Sequence, residues 1–226
     1  MPMQKRNYQR ELEQILKGLE ESQTVPRLLL HSCCAPCSSY VLEYLSQYFA
    51  ITVLYYNPNI SPREEYEYRK AEQLRLIAEG DWQNPVDFLD CDWDAGAFTA
   101  IAKGLEDVPE GGARCFACYQ LRLEAAAAAA KKGGYDYFTT TLSISPLKNA
   151  QKLNEIGEAL SQKHGVKHLP ADFKKKEGYK RSIELSRQYG LYRQDYCGCI
   201  YSKRSRNSFS AAAVTSQQGA SSADDR

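Results

Sequence analysis

Five short runs of strand character recur along this chain, each parted from the next by a stretch of helical character. Residues 28–31, 51–56, 86–89, 135–141 and 166–169 are apolar, β-branched or aromatic, and turn residues or cysteines bound them. When a helix separates two strands it carries the chain back over the sheet, so the second strand lies parallel to the first. The pattern predicts an α/β fold of Rossmann-like kind, a mostly parallel sheet covered by helices on both faces. Ligands of such sheets bind beyond the carboxyl ends of the strands. Candidate residues follow every strand: Cys33 and Cys34, then Asn57, Cys91, the stretch from Thr139 to Ser145, and Asp172.

The intervening segments carry helix signals of their own. Residues 5–24 put Leu12, Ile15, Leu16 and Leu19 on one side before Pro26 breaks the pattern. They read as an N-terminal helical extension, residues 1–24, ahead of a single catalytic domain over residues 25–206. Ser61-Pro62-Arg63-Glu64 offers a cap, a first-turn proline and an acid three positions after the cap, and Gly80 closes that helix. A short helix is expected near residues 94–103. A strong one runs from Phe116 through the alanine run 125–130, packed closely on the sheet, to Gly133-Gly134. Pro146 marks a helix start reaching about residue 164, and a last helix covers residues 178–189. Residues 207–226 lack any period and are expected to form a disordered tail.

At 43% hydrophobic and 25% charged, the chain has the balance of a globular protein rather than of a disordered or membrane-embedded one. No run of about 18 apolar residues is present, and the polar start, Met1 to Glu13, lacks the apolar segment of a secretory signal. The eight cysteines are grouped rather than spread. Cys33, Cys34 and Cys37 form one group, Cys115 and Cys118 a second, Cys197 and Cys199 a third; Cys91 stands alone and suits a small buried residue. Grouping at short spacing points to metal or redox chemistry in a reducing compartment, hence to the cytoplasm, over a disulfide scaffold.

The first two groups fall at expected helix starts, where free N–H groups and the helix dipole favour thiolates. Four such sulfurs suit zinc or a [4Fe–4S] cluster. Adjacent Cys33 and Cys34 diverge, which fits a cluster with separate iron corners better than one tetrahedral ion. In Cys197-Gly198-Cys199 the glycine allows a tight, easily reduced disulfide, so the pair suits a two-electron couple; the same two sulfurs also suit further metal ligands.

Five motifs carry a resemblance to a known family. They are His31-Ser32-Cys33-Cys34-Ala35-Pro36-Cys37, Tyr55-Tyr56-Asn57-Pro58-Asn59-Ile60, Arg114-Cys115-Phe116-Ala117-Cys118-Tyr119, Thr139-Thr140-Thr141-Leu142-Ser143-Ile144-Ser145-Pro146 and Asp195-Tyr196-Cys197-Gly198-Cys199. In these the chain resembles the cobalamin-independent epoxyqueuosine reductases, the QueH family, over roughly residues 25–205. The resemblance implies two-electron removal of the epoxide oxygen of epoxyqueuosine at the wobble position of tRNA, giving queuosine and water. It implies a [4Fe–4S] cluster on Cys33, Cys34, Cys115 and Cys118, and a redox-active pair at Cys197 and Cys199. It also suggests one additional iron, for which Cys37 and Asp92 are the candidate ligands. An electron-donor protein or other reductant is a required partner. Tyr119, Asp195, His31 and Tyr196 are placed to donate protons, although each also suits a structural role.

Charge is distributed unevenly. Residues 81–110 hold eight acids and one base, and residues 171–206 hold ten bases and four acids, so a total of +1 hides a basic C-terminal region. Lys174, Lys175, Lys176, Lys180, Arg181, Lys203, Arg204 and Arg206 are the candidate tRNA contacts, with Tyr179, Tyr189, Tyr192, Tyr196 and Tyr201 available to stack on bases. The same pattern suits a solvated helix face with core tyrosines. Two other functions compete. A zinc-bound RNA-binding module without redox activity would be colourless, whereas a cluster is brown. A nucleotide-binding enzyme of this architecture would need a glycine-rich phosphate loop after the first strand, where this chain has cysteines.

Overall fold

A computed structural model describes residues 6–206. In chain order the elements are α1 (Tyr8–Ser22), β1 (Arg27–His31), α2 (Ala35–Leu45), β2 (Ala50–Tyr55), α3 (Arg63–Glu79), β3 (Val86–Asp90) and α4 (Ala95–Ala102). There follow α5 (Ala113–Gly133), β4 (Tyr137–Thr140), a 3₁₀ turn (Thr141–Ile144), α6 (Ala150–His164), β5 (Lys167–His168) and α7 (Gly178–Gln188). Residues 200–206 add a last helical stretch. The strands form one parallel sheet in the order β3-β2-β1-β4-β5.

The run Leu28-Leu29-Leu30 explains why β1 lies at the centre. All three side chains are fully buried, yet they serve two different cores because successive residues point to opposite faces. Leu28 and Leu30 pack with Ile51 and Val53 of β2 beneath α1, α2 and α3. Leu29 packs with Leu54 and Phe138 against α5 and α6. Ala126, Ala127 and Ala130 of the alanine run are buried in this second core, where small side chains let α5 lie close to the sheet. On the first face Leu12 and Leu16 of α1 are also buried, so the N-terminal helix is part of that core. The tail expected over residues 207–226 lies outside the described residues.

Two helix starts differ from the sequence reading. Ser61 does not cap α3. Pro62 occupies the cap position, and the Ser61 N–H instead donates to the Gly198 carbonyl at 3.0 Å, tying the head of α3 to the third cysteine group. Pro146 does not open α6. Asn149 does, its side chain accepting from the Lys152 N–H at 2.9 Å, and the turn before it directs Lys148 inward.

The strand order reverses between β1 and β4, with β2 and β3 leaving on one side and β5 on the other. In open α/β sheets that reversal opens a crevice beyond the strand ends. Here it lies over His31, Ser32 and Cys33 on one side and Thr140 and Thr141 on the other.

Candidate metal and redox centre

β1 enters α2 through the first cysteine group. Cys34 is the N-cap of α2, its backbone extended (φ −174°, ψ 160°) and its side chain free of any capping bond. The sulfurs of Cys33, Cys34 and Cys37 all lie within 4.8 Å of one another, with Cys33 and Cys34 3.8 Å apart. Thr141 reaches across the crevice to put its hydroxyl 3.7 Å from the Cys33 sulfur. From α3, Gln73 Oε1 accepts from the hydroxyls of Ser32 and Ser38, both at 2.7 Å, and fixes the loop from below.

Arg122 of α5 is the buried charge at the centre, 1% exposed. Its Nε donates to His31 Nε2 at 3.2 Å and its Nη2 donates to Asn57 Oδ1. His31 is held at both ring nitrogens, Nδ1 lying 2.8 Å from Thr140 Oγ1 and Nε2 lying 3.1 Å from the Tyr56 carbonyl as well. Burial, and then the Arg122 charge, push the His31 pKa down to about 3, so the imidazole is neutral. Burial opposes the charge on Arg122, but Cys118, Cys33 and Cys197 raise its pKa above the ordinary arginine value.

In the first group Cys33 is favoured as the thiolate over its two neighbours. Hydrogen bonds from Cys34 and then Cys37 hold Cys33 well below the usual thiol range, helped by Arg122 and Thr141. Cys34 is pushed up to about 12, chiefly by its bond to Cys33, and Cys37 is raised well above the ordinary value for the same reason. A bound cation would displace those remaining protons.

The second and third groups meet nearby. α5 begins at Ala113, so Cys115 and Cys118 sit in its first two turns. Burial pushes Cys118 up to about 12. A larger cavity of about 200 Å³ exposes Cys33, Cys37 and Cys197. An adjoining gap of about 20 Å³ exposes Cys115, Cys118, Cys197 and Cys199. Arg122 and Lys148 line both. The gap is also lined by Asn59 and Tyr119, whose Oδ1 and hydroxyl are buried without a hydrogen-bond partner. Burial raises the Tyr119 pKa to about 12. An all-sulfur donor set, two buried cations and two orphaned polar atoms together fit an anionic, cysteine-held group. A more open groove of about 450 Å³, between the end of α1 and the start of β2, contains no cysteine.

The profile of the epoxyqueuosine reductase QueH family matches residues 28–205, from β1 into the last helical stretch. The chain belongs to this family. A protein of Staphylococcus epidermidis named epoxyqueuosine reductase QueH is 44% identical over 207 residues, covering 89% of this chain and 86% of that one. The protein of that name from Streptococcus pyogenes serotype M1 is 43% identical over 205 residues, 90% and 80% of the two chains. The one from Thermotoga maritima is 34% identical over 178 residues, 77% and 89%. The chain is thus an enzyme of an oxidoreductase family.

In this QueH-family chain the candidate residues from the sequence are unevenly gathered. Cys37 joins Cys33 and Cys34, while Cys115 and Cys118 face the gap with the Cys197–Cys199 pair. Asp92 is exposed after β3 and lines neither cavity. Of the basic residues, Lys174 pairs with Asp172, Lys176 with Glu13 at 2.5 Å, Lys180 with Glu177 at 3.6 Å and Arg181 with Glu43 at 2.6 Å. Arg206 lines the larger cavity with Arg193 and Tyr179, and Lys203 lies over the Tyr196 ring. Among the described residues no helix is long and apolar enough to cross a membrane. Arg122, Lys148 and Glu110 were not singled out from the sequence. Arg122 had a signal there, since it follows Cys118 by four residues on one helix and so shares its face. Lys148 had none, because only tertiary folding brings it to the cysteines.

Proposed function

We propose that this chain reduces epoxyqueuosine to queuosine at the wobble position of tRNA. The observation that carries the reading is the meeting of three cysteine groups around Arg122 and Lys148, at the switch-point crevice of a QueH-family chain. Removing the epoxide oxygen as water consumes two electrons and two protons. A dithiol closing to a disulfide releases the same number of each, which gives the Cys197–Cys199 pair its role; an external reductant then reopens it. Cys33, Cys34, Cys115 and Cys118 are the ligands of a [4Fe–4S] cluster in this reading, and Cys37 is left to hold an additional iron. When bound, these irons supply electron transfer and a Lewis acid for the departing oxygen. The protein's part is to orient and to neutralise. Arg122 and Lys148 offset the negative charge of the thiolates, Thr141 steadies Cys33, and the neutral His31 holds the Arg122 fork in place. Tyr119, which lines the gap with the paired cysteines, serves as a proton source in this reading. The expected result with epoxyqueuosine-containing tRNA, incubated anaerobically with a strong reductant, is a digested nucleoside lighter by one oxygen. An unchanged nucleoside mass in the presence of iron-loaded protein contradicts the reading.

The tRNA grip is assigned to the basic region from Lys174 to Arg206. The surface ion pairs of Lys176, Lys180 and Arg181 are weak, about 0–1 kcal/mol each, and tRNA phosphates displace them readily. Replacing Lys174, Lys175 and Lys176 together by Ala is expected to weaken tRNA binding and to flatten its salt dependence by about 0.7–1 slope unit for each phosphate that is no longer neutralised. Iron content is expected to stay as it was. Equal affinity and equal slope would move the tRNA to another face.

A further inference from the structure

The two cysteines of the third group stand in unlike surroundings. Cys197 is half-buried and open to both cavities, and its sulfur accepts a hydrogen bond from Lys148 Nζ at 3.1 Å. Cys199 is buried with Phe98, Ala102 and Cys118, and its sulfur accepts only the Ser202 backbone N–H, at 3.4 Å.

The side chain of Lys148 is 8% exposed, and a buried ammonium is costly unless polar partners face it. Two do. Glu110 Oε1 lies 3.2 Å from Nζ, and the other partner is the Cys197 sulfur. The ring then closes on itself. Glu110 Oε2 accepts from the Ser202 hydroxyl at 3.0 Å, and that hydroxyl accepts from the Cys197 N–H at 3.1 Å. The loop between the cysteines is pinned from behind. Gly198 has a positive φ of 111°, its carbonyl accepts from the Ser61 N–H at 3.0 Å, and the Cys197 carbonyl accepts from Arg69 at 3.4 Å. The ammonium therefore meets a sulfur held in one position, and only one of the two. An ammonium that touches one thiol of a pair and not the other makes the two sulfurs chemically unequal.

We propose that Lys148, shared between Glu110 and Cys197, is the positioning residue that makes Cys197 the reactive sulfur of the pair and leaves Cys199 as its resolving partner. The inference rests on the reading of Cys197 and Cys199 as a redox couple, but its chemistry is tested separately. With iodoacetamide the Cys197 sulfur displaces iodide and forms a thioether, so the rate reports the reactivity of that sulfur without any turnover.

The experiment uses full-length protein, prepared and reduced anaerobically, labelled briefly at pH 7 and analysed by fragment-ion mass spectrometry. Cys197 is expected to label at least about tenfold faster than Cys199. In Lys148→Met that rate is expected to fall by about tenfold or more, and Lys148→Arg should keep most of it. Glu110→Gln supplies the contrasting sign: with the carboxylate gone the ammonium serves Cys197 alone, so labelling stays as fast or rises. A purely structural network would instead be disturbed alike by both changes. Equal labelling of the two cysteines in the native protein overturns the proposal. So does an unchanged Cys197 rate in Lys148→Met. Should Lys148→Met fail to fold, slowed labelling in Glu110→Gln overturns it just as well. If Cys197 labels faster yet the pair never closes to a disulfide, the redox reading and the resolving role of Cys199 fail, while the action of Lys148 on Cys197 stands.

Discussion

Arg122→Met is expected to cost about 3–5 kcal/mol of folding stability, the scale of a buried charge network losing one member. The guanidinium is 1% exposed, and methionine of similar length fills its path without its donors. His31 Nε2 and Asn57 Oδ1 would each lose the bond that Arg122 now gives them, and only His31 Nε2 keeps a neighbour there, the Tyr56 carbonyl. An orphaned buried acceptor costs roughly 1–3 kcal/mol. Asn57 also donates to the Ser32 carbonyl at 2.9 Å, so the disturbance reaches the loop that carries Cys33 and Cys34. Chemical denaturation of anaerobic protein, native against variant, measures the loss. Arg122→Lys should retain part of the stability, because it keeps the charge but not the fork. A change below about 1 kcal/mol in Arg122→Met would mean that the fork contributes little to holding the site.

The second large effect falls on the cysteines. Serine at Cys33, Cys34, Cys115 or Cys118 is expected to strip most of the iron from anaerobically prepared protein, because serine's hydroxyl stays protonated where a thiolate ligand is required. Serine at Cys37 gives the sharper result. Although its sulfur lies within 4.8 Å of Cys33 and Cys34, the reading assigns it to the additional iron. Cys37→Ser should therefore keep the visible absorbance of the cluster and lose at most one iron per chain. If Cys37→Ser bleaches the protein while Cys115→Ser and Cys118→Ser leave it brown, the ligands are the triplet that folding has already gathered. The assignment of the second group then falls.

The fold was legible where side-chain period and length agreed. Leu28-Leu29-Leu30 reads as a strand buried on both faces, and it serves two cores. The alanine run reads as a helix close to the sheet, and it packs there. Ser61 and Pro146 misled because local start signals compete with tertiary demands. The Ser61 N–H is drawn to Gly198, and the turn after Pro146 is used to bury Lys148. At the site, residues that follow strands were legible, since a parallel sheet gathers its carboxyl ends; Cys33, Asn57 and Thr141 meet there as that rule requires. Asp92 follows a strand too, but β3 lies at the sheet edge, away from the reversal between β1 and β4. The Glu110–Lys148–Cys197 ring was not legible. Its members stand far apart in sequence, and only packing brings an acid, a base and a thiol together.

The central claim is that the three cysteine groups form one iron–sulfur redox site. The most direct measurement is iron, acid-labile sulfide and zinc in full-length protein purified without oxygen, read beside its visible spectrum. The account predicts brown protein with about four irons and four sulfides per chain, up to one further iron, and absorbance that fades on reduction. Colourless protein holding about one zinc and no sulfide, from cells supplied with iron, would contradict it.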